Sequence, residues 1–302
     1  MTASKSSQNI VWLALFVLVV VWGFNFTVMK VATNYSGPFT FSAQRYVIGT
    51  LVLFALLALR RRDLKSPPWV LTILIGLFQT TGFQALMQWA LMTGGAGKVA
   101  LFIYTMPFWV VPLAWWWLNE KPGLVHWGCI ALAALGLVFV IAPWDGVGKP
   151  ESIVLAIGGG LAWAISVVLS KHVFQRHPSV TVLQLTAWQM LFGTIVLVAL
   201  AFVIPERSVV WAPEYLFALL YNGLISSGVC WLAWALIVQR LPTRVSGLMA
   251  LAVPVAAVLF AWGLLGERPS GAETAGIVLI AIALLSLNFS RQIMNKRRAK
   301  PP

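Results

Sequence analysis

What most constrains this chain is the recurrence of apolar stretches about 20 residues long, divided by short loops, from one end to the other. A hydrocarbon layer about 30 Å thick is crossed by roughly 20 residues of helix, and only helices or closed barrels satisfy their backbone within it. Ten segments fit: Asn9 to Ala32, Phe39 to Leu59, Pro68 to Met92, Ala96 to Leu118, Gly123 to Ala142, Ser152 to Gln175, Ser179 to Ile204, Pro213 to Gln239, Pro242 to Leu265 and Gly271 to Ser290. With 60% of residues hydrophobic and 10% charged, the 302-residue chain carries more apolar surface than a soluble core needs. It is read as an all-α polytopic membrane protein. Lys5 ahead of the apolar run Ile10 to Val21 resembles a signal peptide, but no small-residue cleavage site follows, so that run is expected to stay as the first helix.

The 21 Lys and Arg against 8 Asp and Glu lie mostly in the short loops and tails, which suits membrane orientation and not a nucleic-acid face. Placing the N-terminus in the cytoplasm puts fifteen of the basic residues on that side and six elsewhere, so both termini are expected to be cytoplasmic. The basic run from Arg291 to Lys300 reads as a topological anchor. Cys129 and Cys230 fall inside apolar runs and point to neither a disulfide framework nor a metal site. No cofactor, metal or catalytic residue is expected.

An internal repeat organises the ten segments. Pro107 and Glu120-Lys121-Pro122 recur as Pro254 and Glu267-Arg268-Pro269, each at an offset of 147. Trp22 with Lys30 recurs as Trp163 with Lys171, Gly49-Thr50 as Gly193-Thr194, and Trp89-Ala90-Leu91 as Trp234-Ala235-Leu236. The expected units are residues 1–146 and 147–302, five helices each. Because five is odd, the second unit crosses the membrane in the opposite sense, about a pseudo-two-fold axis in the membrane plane, the arrangement that underlies alternating access.

The same residues carry a family resemblance. Trp22-Gly23-Phe24-Asn25-Phe26, Arg45-Tyr46, and a Pro followed by a terminal Glu-Lys/Arg-Pro in the fourth and ninth segments resemble the drug/metabolite transporter superfamily with paired EamA domains. Among these the Trp-rich interior is most similar to the YddG-type exporters of aromatic and other neutral amino acids. The resemblance implies cytoplasmic termini, a bacterial inner membrane, and a central cavity lined mainly by spans 1, 3, 4, 6, 8 and 9. Asn119 departs from the family's Gly before the Glu, which leaves helix termination there open.

Counting helix rise from the span ends puts Trp22, Asn25, Gln79, Phe83, Tyr104, Trp163, Tyr221 and Asn222 near the bilayer midplane, and these are the candidate substrate-binding residues. Polar groups there must find partners or face a cavity. Gln79 and Phe83 share a helix face and offer an amide and a ring to one space, although Gln79, Gln84 and Gln88 can also serve as interhelical glue. Trp22 and Trp163 are expected to face each other and sandwich a side chain, the competing reading being plain packing. Pro107 and Pro254 are expected to kink their helices, each freeing a carbonyl beside the route. Arg45 is the deepest charge and reads as a snorkelling anchor more than as a carboxylate holder. Glu120 and Glu267 read as helix terminators or gate salt bridges.

With no ionisable residue expected at a span centre, facilitated diffusion or exchange is favoured over proton pumping. The leading expectation is an exporter of neutral amino acids or similar metabolites, acting as a monomer or homodimer in the lipid bilayer. Export of drugs or cationic metabolites is the alternative within the same superfamily. A membrane enzyme lacks its acidic or histidine cluster, and a sensor or scaffold lacks soluble domains.

Overall fold

The computed structural model describes residues 5–60, 64–94, 96–141, 149–265 and 270–298. Glu267, like its neighbours Gly266, Arg268 and Pro269, lies outside the described residues. The chain crosses as α1 (Lys5–Ala32), α2 (Pro38–Leu59), α3 (Trp69–Thr93), α4 (Ala96–Ile103 then Met106–Leu118), α5 (Leu124–Ile141), α6 (Pro150–Arg176), α7 (Val182–Val203), α8 (Pro213–Arg240), α9 (Thr243–Met249 then Ala252–Leu265) and α10 (Gly271–Arg298). Eight of these are long and apolar enough to span a membrane by themselves; Thr243–Ala256 and Gly271–Ser286 supply shorter apolar stretches. The protein is a multi-pass membrane protein of two inverted five-helix repeats.

Four helices depart from the continuous α-helices expected of them. In α3 the segment Gly76–Phe83 is a π-helix, and in α8 so is Tyr221–Val229. The two π-segments sit at equivalent places: Trp89 and Trp234 mark the same offset, 145, as Gly76 and Tyr221. Both are rich in small and hydroxylated residues, and in α3 the threonines bond a neighbouring helix. Thr80 Oγ1 donates to Gln189 Oε1 at 3.0 Å, and Thr81 Oγ1 donates to the Gly193 carbonyl at 2.9 Å. Such widened turns recur at functional sites.

In α4 and α9 the expected kinks are breaks. The first half of α4 ends at Ile103, and Pro107 sits in the opening turn of the second half, where its missing N–H costs nothing. Pro254 holds the same place in α9. The carbonyl that Pro107 leaves without an N–H donor, that of Ile103, faces Gly160 of α6 closely enough that a Cβ there would lie 2.7 Å from it. It is closed off by the backbone of a neighbour and does not open onto the transport route. At the far end of α4, Asn119 adopts a left-handed φ of 55° and ends the helix as Gly would.

The halves interdigitate. Helix α1 packs on α8 and α9, while its counterpart α6 packs on α3 and α4; α2 lies on the π-segment of α8, and α7 on that of α3. Close crossings rest on glycine: a Cβ added to Gly76 would lie 2.9 Å from the Gly193 nitrogen, so the α3 and α7 backbones touch there. The outlying pair α5 and α10 pack on each other, with Gly136 against Gly276. Thr50 and Thr194, equivalent residues of the two repeats, meet at 3.1 Å between hydroxyls, so the pseudo-two-fold axis passes between them.

Repeat symmetry also governs helix ends. Lys30 Nζ donates to the Leu91 and Gly94 carbonyls (2.6 and 2.9 Å), capping α3, and Lys171 Nζ donates to those of Val238, Gln239 and Leu241 (3.1, 3.1 and 2.7 Å), capping α8. Cations at a helix C-terminus complement its dipole and its orphan carbonyls. Glu120 acts at the opposite kind of end. It accepts from the Thr243 N–H at 2.9 Å and from the Thr243 hydroxyl at 3.0 Å, capping the N-terminus of α9, with Arg244 at 3.9 Å. Its carboxylate bonds across the repeats, with Arg244 in the salt bridge that was one of its two expected uses, and not to the end of its own helix. Glu206 does the same for α2, accepting from Phe39 and Thr40 N–H at 2.9 and 2.8 Å.

Candidate functional site

Where α1, α2, α3, α4, α6 and α8 converge, their side chains line a central cavity of about 330 Å³. The floor is aromatic. Phe83 stacks on Trp163 (5.1 Å, 19°), Trp22 meets Trp163 edge-on (5.6 Å, 76°), and Trp231 closes on Trp22 at 4.9 Å. Tyr104 and Trp234 pack on Trp163 at 5.7 and 5.2 Å. Edge-to-face contacts of this kind each add about 0.5–1.5 kcal/mol to area burial. Trp22 and Trp163 therefore touch instead of standing apart with a gap between them for a side chain.

The polar wall comes from α1, α2 and α3. Arg45 is not a snorkelling anchor: it is 1% exposed and is one of the residues lining the cavity. Its Nη atoms donate to Asn222 Oδ1 at 2.7 Å, to Gln84 Oε1, and toward Met29 Sδ at 3.3 Å. The Phe41 and Tyr46 rings lie 5.6 and 5.0 Å away. All these partners are neutral. Tyr46 in turn accepts from Trp231 Nε1 at 2.6 Å, which couples the cation to the aromatic cluster. Asn25 Oδ1, Arg45 Nε and Trp163 Nε1 are buried and have no hydrogen-bond partner among the described residues.

Of the eight candidate binding residues, Trp22, Asn25, Phe83, Tyr104 and Trp163 line this cavity. Gln79, on the π-segment of α3, accepts from Ser166 Oγ at 3.3 Å and lies outside the lining. Asn222 stands behind Arg45, and Tyr221 donates to the Val21 carbonyl at 2.8 Å while packing on Phe24 at 5.9 Å. Gln84, read in sequence as interhelical glue, Tyr46, read there only in the family motif, and Ser226 and Trp231, which are not among the binding candidates, join the lining. For Trp231 the repeat pattern held no signal, because its equivalent at offset 145 is Leu86. The helices differ as well: α2 contributes to the wall and α9 does not.

An inverted-repeat bundle with a central cavity lined by both halves is the architecture of a secondary transporter. The EamA-like transporter family model matches residues 9–142 and again 151–289, and the chain belongs to that family. The chain is 28% identical to a Salmonella typhimurium protein named a probable amino-acid metabolite efflux pump, over 95% of this chain and 97% of that one. It is 25% identical to the uncharacterised transporter YoaV of Bacillus subtilis, over 93% and 98% of the two chains. A probable terminal-alkyne amino-acid exporter of Streptantibioticus cattleyicolor is 25% identical over 97% of both. A solved crystal structure shares the fold, with a TM-score of 0.76 at 21% identity, covering 95% of this chain and 98% of the other.

Proposed function

We propose that this transporter exports neutral amino acids, aromatic ones included, or closely similar metabolites, by alternating access across a bacterial inner membrane. The observation that carries the reading is the central cavity itself, ringed by Trp22, Phe83, Tyr104, Trp163 and Trp231 and provided with amide and hydroxyl groups at its edge. Rings take the apolar side chain, and the polar edge takes the backbone groups of an amino acid. The names borne by the relatives from Salmonella typhimurium and Streptantibioticus cattleyicolor support the same substrate class.

Both termini are cytoplasmic in this reading, as the basic residues favour. The five-helix units are residues 1–146 and 147–302. Glu120 bonded to α9 latches the repeats on the cytoplasmic side, and Glu206 bonded to α2 latches them on the outer side. With both latches made and the rings in contact, the conformation is an occluded one. No carboxylate or histidine lines the cavity among the described residues, so movement down the solute gradient or by exchange is favoured over a proton relay.

Counterflow in proteoliposomes tests the reading. Purified protein should accumulate labelled phenylalanine or leucine against an internal pool of the same solute, without needing a pH gradient. Uptake of a lipophilic cation with none of either amino acid would reject it.

A further inference from the structure

The proposed function names a solute class without saying which of its groups the protein holds. We infer that Arg45 is the receptor for the solute's carboxylate, with Asn25 taking its ammonium, so that the cavity selects an α-amino acid head group; this rests on the exporter reading for the identity of the solute, while the carboxylate site stands on its own geometry.

A guanidinium removed from water demands a counter-charge or a full set of acceptors, and Arg45 has neither. Its Nη atoms reach two amide oxygens and a thioether, its Nε reaches nothing among the described residues, and no described carboxylate pairs with it. The described acidic residues, Glu120, Glu151, Glu206, Glu214 and Glu273, lie at helix ends or in loops, and none of them lines the cavity. The free Nε edge and the neighbouring Nη form the fork that a carboxylate meets with two parallel bonds. A neutral amide is a weaker acceptor than a carboxylate, so Gln84 and Asn222 are partners the cation can exchange.

Two further orphans complete the pattern. Asn25 Oδ1, an acceptor, and Trp163 Nε1, a donor, belong to cavity-lining side chains that are nine-tenths buried or more. An acceptor near a cation is what an ammonium beside a carboxylate needs. A cationic drug would bring its charge against Arg45 and gain only Asn25, so the same geometry disfavours that substrate class.

Competition measures the inference. Phenylalanine, phenylalaninamide, which lacks the carboxylate, and 3-phenylpropionate, which lacks the ammonium, are compared by thermal stabilisation of the purified wild-type protein and by inhibition of phenylalanine counterflow. Phenylalanine should outcompete the amide by about ten-fold or more, as loss of a charge-assisted pair predicts. Arg45→Gln should reduce that ratio to near one and Arg45→Lys should leave part of it. Asn25→Ala keeps every contact of Arg45, and it should raise phenylpropionate to parity with phenylalanine while still rejecting the amide.

An amide that binds the wild type as well as phenylalanine overturns the inference, and so does a wild type stabilised by none of the three. If Arg45→Gln does not fold, the wild-type series and the Arg45→Lys and Asn25→Ala variants decide. Binding that depends on the carboxylate, with no labelled solute crossing, would reject the exporter reading and leave the site in place.

Discussion

Lys30 and Lys171 show how a residue can be visible in a sequence while its task is not. The eight-residue step from Trp22 to Lys30 recurs from Trp163 to Lys171, which marks the repeat. The carbonyls they bond lie 61 to 70 positions further along, beyond any local pattern. Lys171→Met would leave three carbonyls at the end of α8 without that donor. Thermal unfolding of the detergent-solubilised protein should then show a loss of about 1–3 kcal/mol, with Lys171→Arg restoring part of it. Counting helix rise was enough to bring Trp22, Phe83, Tyr104 and Trp163 to one cavity, but not to show that they pack on one another. Arg45 was misread because depth counted from a span end cannot tell a side chain that climbs to water from one that turns inward. Trp163→Ala should cut phenylalanine counterflow at least about ten-fold, since the ring stacks on Phe83 and touches Trp22, Trp231, Tyr104 and Trp234. Wild-type flux from folded Trp163→Ala would remove the rings from the transport route.

The ten helices were legible from hydropathy alone; their interruptions were not. A π-turn differs from an α-turn by the i→i+5 closure of its backbone, which hydropathy does not report, and the bond from Thr81 to the Gly193 carbonyl on another helix was equally invisible there. The breaks in α4 and α9 were half legible: proline announced a disturbance at the right place, but only the packing of Gly160 against Ile103 shows where the freed carbonyl goes. Contact between the α3 and α7 backbones belongs to this scale. Gly193→Val should force the helices apart, at a cost of about 1–3 kcal/mol, and lower the yield of monodisperse protein. Gly128→Ala on α5, where an added Cβ meets nothing within 4 Å, should leave the yield unchanged. Equal yields from the two variants would contradict the close approach.

At the scale of the whole molecule, the axis should be the still point and the latches the moving parts. In a background without Cys129 and Cys230, Thr50→Cys with Thr194→Cys should crosslink readily and leave counterflow near the uncrosslinked rate. Glu120→Cys with Thr243→Cys should stop it when oxidised and restore it when reduced. Arrest by the axis pair would place the hinge elsewhere. Replacing Thr50 and Thr194 by Val, singly and together, should give a coupling of about 0.6 kcal/mol.

A hydroxyl both gives and receives a hydrogen bond, so threonine is among the few side chains able to bond an identical copy of itself. Had each five-helix unit been a separate chain inserted in both orientations, one threonine would have sufficed at this point, pairing with its twin. In a single polypeptide the two copies need not match at every position: Trp231 has Leu86 at the equivalent place, and Arg45 has Gln189 where symmetry at the Thr50 offset would repeat it. The cavity is thus asymmetric although the axis beside it is marked by identical hydroxyls.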